Sequence, residues 1–231
     1  MNRFLSNFFK KIRLFHNIFI KHRFFINKKS YSMEGEDLII YEKLKDIDNG
    51  FYVDAGCYHP LHLNNTFLLY KKGWRGINID LSDYTINLFN YIRPDDSNIN
   101  SAVANYDGKI NFYFQKKLSQ LTSVKKEIAS KRMQGKIKEK EIDALKLDSI
   151  IAKTKFKNQK IDFLNIDIEG NDYEALQSLN FSVYKPKIIC IEIDEENIFN
   201  SNIYKYLLNL NYQKIWSSKS NLSHIFIENN I

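Results

Sequence analysis

The chain alternates short apolar runs with stretches of helical periodicity. "GFYVDAG" at 50–56 reads as a buried strand, and "NNTFLLYKKG" at 64–73 as a helix capped by Asn64 or Asn65 and stopped by Gly73. "GINID" at 76–80 predicts a second strand, followed by a helix that starts at Ser82 and is ended after Ile92 by "RPDD". Residues 97–104, "SNINSAVA", predict a third strand, and the Asp-Gly turn in "NYDGKINFYF" leads into another. "EIDALKLDSIIAK" predicts a short strand and helix, and "KIDFLNIDIEGNDYEALQSL" a strand, an acidic turn and a helix. After the apolar "PKIICIEID" come a helix near 198–210 and a closing antiparallel pair, "YQKIWSS" and "SHIFIEN". Near-continuous apolar strands separated by helices predict a parallel sheet covered on both faces.

Two segments stand apart. Residues 115–140 are Lys-rich and lack aromatics, which suggests a solvated insertion or a lid. In residues 1–30, Phe4, Phe8, Ile12, Phe15 and Phe19 recur at helical spacing, widened by Leu5 and Phe9, with Arg3, Lys10, Arg13 and Lys21 on the other side. The pattern suits no signal peptide and is too interrupted to span a bilayer. It predicts a basic amphipathic helix at 1–30 ahead of a domain at 31–231, which either lies on an anionic membrane or packs on its own domain or a partner.

The net charge of +7 resides in that segment, because residues 1–30 hold eight Lys/Arg and no Asp/Glu. The remainder is nearly neutral, which argues against nucleic acid as a partner. Two cysteines, Cys57 and Cys190, make no disulfide framework and suit a reducing cytoplasm. A peripheral position on the inner membrane face is the corresponding expectation for localisation.

The candidate chemistry lies where strands end. Asp54, Asp80 and Asp167 each close a strand. In open α/β sheets ligands bind beyond such ends, at the point where strand order reverses. An acid ending the second strand suits ribose hydroxyls, which assigns that role to Asp80. A diphosphate requires a glycine-rich cradle. This loop instead offers Gly56, then Cys57, Tyr58, His59 and Pro60, and so suits a phosphate-free nucleoside such as S-adenosylmethionine.

"GEDLI", "GFYVDAGCYHP", "NNTFLLYKKGWRGINID", "INSAVA" and "IDFLNIDIEGNDYEALQSL" together resemble the FkbM family of S-adenosylmethionine-dependent O-methyltransferases, over residues of about 32–228. The resemblance implies a class I methyltransferase (Rossmann-like) fold, with a seven-stranded, mostly parallel sheet, helices on both faces and an antiparallel last strand. It implies S-adenosyl-L-methionine as cofactor, held by Asp54, Gly56 and Cys57 of the first loop, by Asp80, and by Ser101 and Ala102 on the adenine side. Asp167, Glu169 and Gly170 match the acidic motif after the fourth strand. Family members often carry glutamine before the "GED" segment, where this chain has Met33 and Glu34, so Glu36 is a weaker candidate.

His59, Asp167 and Glu169 are the expected catalytic residues, His59 as base because its ordinary pKa lies near neutrality. Asp167, Glu169, Asp172 and His59 also make a set that would suit a divalent metal, although none is assigned. His62 and His224 have weaker claims. Glu192 and Asp194 line the same rim, while Trp74 and Arg75 read as packing. The expected acceptor is a hydroxyl, of a sugar in a surface glycan or its lipid-linked precursor. A nicotinamide-dependent oxidoreductase and a non-catalytic membrane-docking module remain the alternatives.

Overall fold

The computed structural model describes residues 3–229, with side chains from Asn7 onward. In chain order it contains α1 (Arg3–Phe15), α2 (Glu36–Leu44), β1 (Phe51–Ala55), α3 (Phe67–Lys71), β2 (Arg75–Asp80), α4 (Asp83–Ile92), β3 (Ser97–Asn100), β4 (Ala102–Val103) and β5 (Gly108–Phe114). There follow α5 (Lys126–Arg132), β6 (Lys138–Leu145), α6 (Leu147–Ala152), β7 (Phe163–Ile166), α7 (Asp172–Gln177), β8 (Ile188–Glu192), α8 (Asn202–Asn209), β9 (Tyr212–Ser217) and β10 (Ser223–Glu228).

Seven strands form the main sheet in the order β3-β2-β1-β7-β8-β10-β9. The pairings are parallel except for β10, which runs antiparallel to both β8 and β9. Strand order reverses between β1 and β7, so their carboxyl ends open a crevice at the centre of the sheet. The central strands β1, β7 and β8 are buried along nearly their whole length because both faces are covered. Phe51, Val53 and Ala55 share one core with Leu164, Ile166, Ile189 and Ile191, closed by α6, α7 and α8. Tyr52, Phe163, Ile188 and Cys190 pack on the other face against Ile40 and Leu44 of α2 and Leu69 of α3. The two-residue period of a strand explains this division.

The single strand expected at 97–104 breaks at Ser101. Residues 97–100 stay in the main sheet, while Ala102 and Val103 turn into a second sheet of order β4-β6-β5. The β5–β6 hairpin pairs Gly108 with Ala144 and Phe114 with Lys138, so residues 115–137 form the long connection at its tip. That connection contains α5 and is partly exposed, with Ser123, Ala129 and Met133 turned inward. The helix expected from Asn64 starts only at Phe67, because Asn64 and Asn65 turn their side chains into the loop beneath. Ser82 caps α4 as expected, accepting from the Thr85 N–H, and Gly73 (φ 96°) follows α3. Trp74 is buried against Gly50, and Arg75 bonds the carbonyls of Tyr70 and Trp74.

Behind the crevice lies a buried polar network that the sequence pattern did not disclose. Asp54 accepts from Asn165 Nδ2 (2.9 Å), Thr66 Oγ1 (2.8 Å) and Asn64 Nδ2 (3.2 Å). Arg93, fully buried, donates to Thr66 Oγ1 (2.8 Å), Asn64 Oδ1 (2.7 Å) and the Pro60 carbonyl (2.6 Å). Its guanidinium lies 4.8 Å from the centre of the Phe89 ring and 5.2 Å from that of Phe67. Burial pushes Asp54 above the ordinary carboxylate range, against the pull of Thr66 and of the Arg93 charge. Removing one member of a buried charge network leaves the other uncompensated. Arg93→Met is therefore expected to lower unfolding free energy by roughly 3 kcal/mol, read as a lower urea midpoint with unchanged slope.

Candidate active site

The turn after β1 carries Gly56 at φ 86°, and its N–H and that of Cys57 both donate to the Ile79 carbonyl (2.9 and 3.2 Å). A Cβ on Gly56 would stand 1.7 Å from the Asp167 carbonyl oxygen, so only glycine lets the β1 and β7 turns touch. Tyr58, also left-handed (φ 52°), aims its N–H at Asp80 Oδ2 (3.0 Å), while Ser82 N–H reaches Oδ1 (2.7 Å). Each Asp80 oxygen keeps a further lone pair for an external donor, an arrangement suited to two vicinal hydroxyls. Burial raises Asp80 to about 6 despite these two N–H donors.

Three clefts meet at this point. The first, of about 530 Å³, lies between Asp80 and the Ser101–Val103 segment and is roofed by Gln120, Thr122 and Val124 of the β5–β6 connection. The second, about 420 Å³, runs past Asp54, Asn64, Asn65 and Asn165. The third, about 1100 Å³, opens outward between Met33, Glu36, Arg132, Glu192 and Asp194. Gln120, Asp167 and Glu169 line all three.

The acidic turn after β7 is shaped by Asp172, whose carboxylate accepts from the N–H groups of Ile168 (2.9 Å) and Gly170 (3.0 Å). Glu169 is thereby held at φ 58°, its carbonyl accepting from Ser123 Oγ (2.8 Å). Arg132 of α5 pairs with the Glu169 carboxylate, with Asp194 at 2.8 Å and with Glu192 at 3.8 Å. The connection expected as a solvated insertion or a lid is thus tied to three acids by one arginine. Its partners lie at least 37 residues away in sequence, so its composition alone concealed the role. Glu169 is spent on this latch, whereas no side chain among the described residues hydrogen-bonds the carboxylate of Asp167. Enclosure by protein, reinforced by the Glu192, Asp172 and Asp54 carboxylates, raises Asp167 well above the ordinary range.

His59 requires a correction. It lines none of the three clefts and is fully buried behind the turn. Its Nδ1 accepts the N–H groups of Leu61 and His62 (both 3.2 Å), so Nε2 carries the proton and donates to Asn17 Oδ1 (2.9 Å). Burial and the neighbouring His22 and His62 depress it to about 2, which leaves it neutral and unsuited to proton transfer. The left-handed Tyr58 turns the chain inward there.

The assigned cofactor residues do lie along the clefts, although several do so by backbone alone. The Cys57 side chain packs with Ile86 and Phe89, and Ser101 Oγ donates to the Asp143 carbonyl (2.8 Å). The His62 ring lies tilted against Phe25, and His224 is buried on β10 against Ser217. With His59 and Asp172 engaged elsewhere, the metal set considered above does not assemble, and no three His, Cys, Asp or Glu among the described residues group as ligands. Tyr58, Asn65 and Gln120 were missed. Tyr58 alone was visible as a loop residue, while the other two are brought in by tertiary contacts.

The family model of the methyltransferase FkbM domain matches residues 54–214. The chain belongs to the FkbM methyltransferase family. S-adenosylmethionine is its cofactor. A solved TehB-like SAM-dependent methyltransferase from Corynebacterium glutamicum is similar at 9% identity over 97% of each chain, with a TM-score of 0.45, too loose to assign residues. No curated protein matches the sequence.

The clefts of this FkbM methyltransferase fit that cofactor. Among the described residues their inner walls carry Asp54, Asp80, Asp167 and Glu169 and neither lysine nor arginine, which suits a cationic nucleoside and repels a diphosphate. Asp80 would hold the ribose hydroxyls, and Ile79, Leu81, Val103 and Val124 supply apolar walls for the base.

Affinity for S-adenosylhomocysteine, measured by calorimetry, is expected to weaken as pH falls through about 6, where Asp80 takes up a proton and loses an acceptor. Asp80→Asn should cost roughly tenfold or more and flatten that dependence. Gly56→Ala should abolish binding while circular dichroism still shows the folded sheet.

Proposed function

We propose that the enzyme methylates a hydroxyl oxygen, of a sugar in a surface polysaccharide or of its lipid-linked precursor, with Asp167 receiving the hydroxyl proton. One observation carries this reading: Asp167 stands where the two inner clefts meet the outer one, its carboxylate unpartnered. The outer cleft is walled by Glu36, Glu192 and Asp194 with Asn65, Ser220 and Ser223, a surface rich in acceptors for hydroxyl groups.

S-adenosylmethionine supplies a methyl group on a sulfonium, an electrophile that an oxygen displaces in line. The chain's own tasks are to align the acceptor oxygen and to take its proton. Asp167 suits the second task because its raised pKa makes the ionised form a stronger base. Glu192, lifted to about 7 by burial and by Asp172 and Asp194 against Arg132, shares the strain of neighbouring negative charge. The Glu192 charge in turn makes Asp167 harder to ionise. Arg132 and the lid close the rim and limit water at the acceptor oxygen.

Turnover is expected to fall on the acid side along a limb that lies above the ordinary carboxylate range, because Asp167 must be ionised to act as base. Glu192→Gln removes a like charge beside Asp167 and should move that limb to lower pH. Asp167→Asn should slow methyl transfer about a hundredfold or more with S-adenosylhomocysteine binding retained, and equal turnover would refute its role as base. Mass spectrometry of glycans from cells with and without the gene tests the acceptor: loss of a methyl increment on a sugar supports it, and unchanged glycans refute it.

A further inference from the structure

The apolar stripe of α1 is only partly covered by the protein, where Phe8 and Phe19 approach Tyr91 of α4. The helix is held to the domain along a different, narrow seam. Leu14 and Ile18 enter a core with Tyr31, Leu61, Phe67 and Leu88, and Asn17 bonds His59. A π-helical turn over His16–Lys21 brings His22 inward too, where its Nδ1 meets the Asn17 carbonyl oxygen at 3.0 Å. Phe8, Phe9, Ile12, Phe15 and Phe19 are left between 40% and 60% exposed. The rings of Phe15 and Phe19 lie 5.0 Å apart, and Phe19 extends the patch to the exposed Tyr91 of α4. The side chains of Phe4 and Leu5 fall outside the described ones. A contiguous aromatic face of this kind marks an interaction surface.

Charge selects the occupant. Residues 1–30 contain eight lysines and arginines and no acid, so whatever covers the face must bring negative charge. A second copy meeting through the same face would set two acid-free basic segments against each other. No helix among the described residues is long and apolar enough to cross a membrane, so contact would be parallel to the surface. We propose that α1 docks on an anionic lipid bilayer, inserting the Phe8–Phe15–Phe19 stripe between headgroups while Lys10, Lys11 and Arg13 meet lipid phosphates. Because Asn17 is bonded to His59 in the loop that carries Cys57 and Tyr58, docking fixes the orientation of the catalytic domain toward the bilayer. This inference is independent of the acceptor.

Deleting the helix would uncover Leu61, Phe67 and Leu88, so the test uses the full chain with exposed positions substituted. Co-sedimentation is measured with vesicles of phosphatidylcholine mixed with phosphatidylglycerol and with phosphatidylcholine alone. The expected result is uptake by the mixed vesicles, weakened by added salt. A Phe8→Ser/Phe15→Ser/Phe19→Ser variant should lose it. A Lys10→Gln/Lys11→Gln/Arg13→Gln variant should lose on the order of a hundredfold in partitioning. Retained S-adenosylhomocysteine binding confirms that both variants are folded. Absent uptake, equal uptake by phosphatidylcholine alone, or uptake indifferent to the phenylalanines overturns the proposal. So does a dimer in size-exclusion chromatography that the serine variant converts to monomer without any vesicle uptake.

Discussion

The site depends on how closely two backbone turns approach at the centre of the sheet. Gly56 lies against the Asp167 carbonyl at a distance no side chain would permit, and that contact joins the end of β1 to the end of β7. Parallel strands leave their carboxyl ends aligned, so the reversal of strand order opens a crevice there by geometry alone. Closing the turns over it brings Asp54, Asp80 and Asp167 around a common space. Without the missing Cβ, the acids would stand on separate loops.

Gathering negative charge in this way has an electrostatic cost, and the structure distributes it. Asp54 is neutralised at a distance by the buried Arg93 through Thr66 and Asn64, and Asp172 is occupied by two backbone amides. Glu169 and Asp194 are held by Arg132 from the lid. Asp167 and Glu192 remain least compensated, and their protons are correspondingly hard to remove. The inner walls therefore favour a cation, and one arginine balances the acids of the rim.

The N-terminal segment packs on α3 and α4 and reaches the cofactor loop through Asn17. The buried face of α1 supports the turn that carries Tyr58, and His59 acts as a neutral strut between the two. The neighbouring face of the helix is half-covered at most and keeps its phenylalanines at the surface. One short element thus serves the packing of the cofactor loop on one side and presents an aromatic, basic surface on the other.

Alternation and periodicity placed most strands and helices of the main sheet and its closing antiparallel pair, because a strand buried on both faces and a capped amphipathic helix leave local patterns in sequence. They also placed Asp54, Gly56, Asp80 and Asp167 at strand ends, where an open α/β sheet puts its ligands. Tertiary structure alone decided which way the side chains at those ends turn. His59, near neutral by residue type, is rotated inward by the left-handed Tyr58 and loses its basicity to burial. Arg93, read as part of a helix stop, became the buried counter-charge of the site. Residues 115–140, read from a lysine-rich composition as a solvated insertion or a lid, are tied down through Arg132 by distant acids that composition does not reveal. Local pattern records how a segment folds, whereas charge balance at a site is a sum over segments that meet only in space.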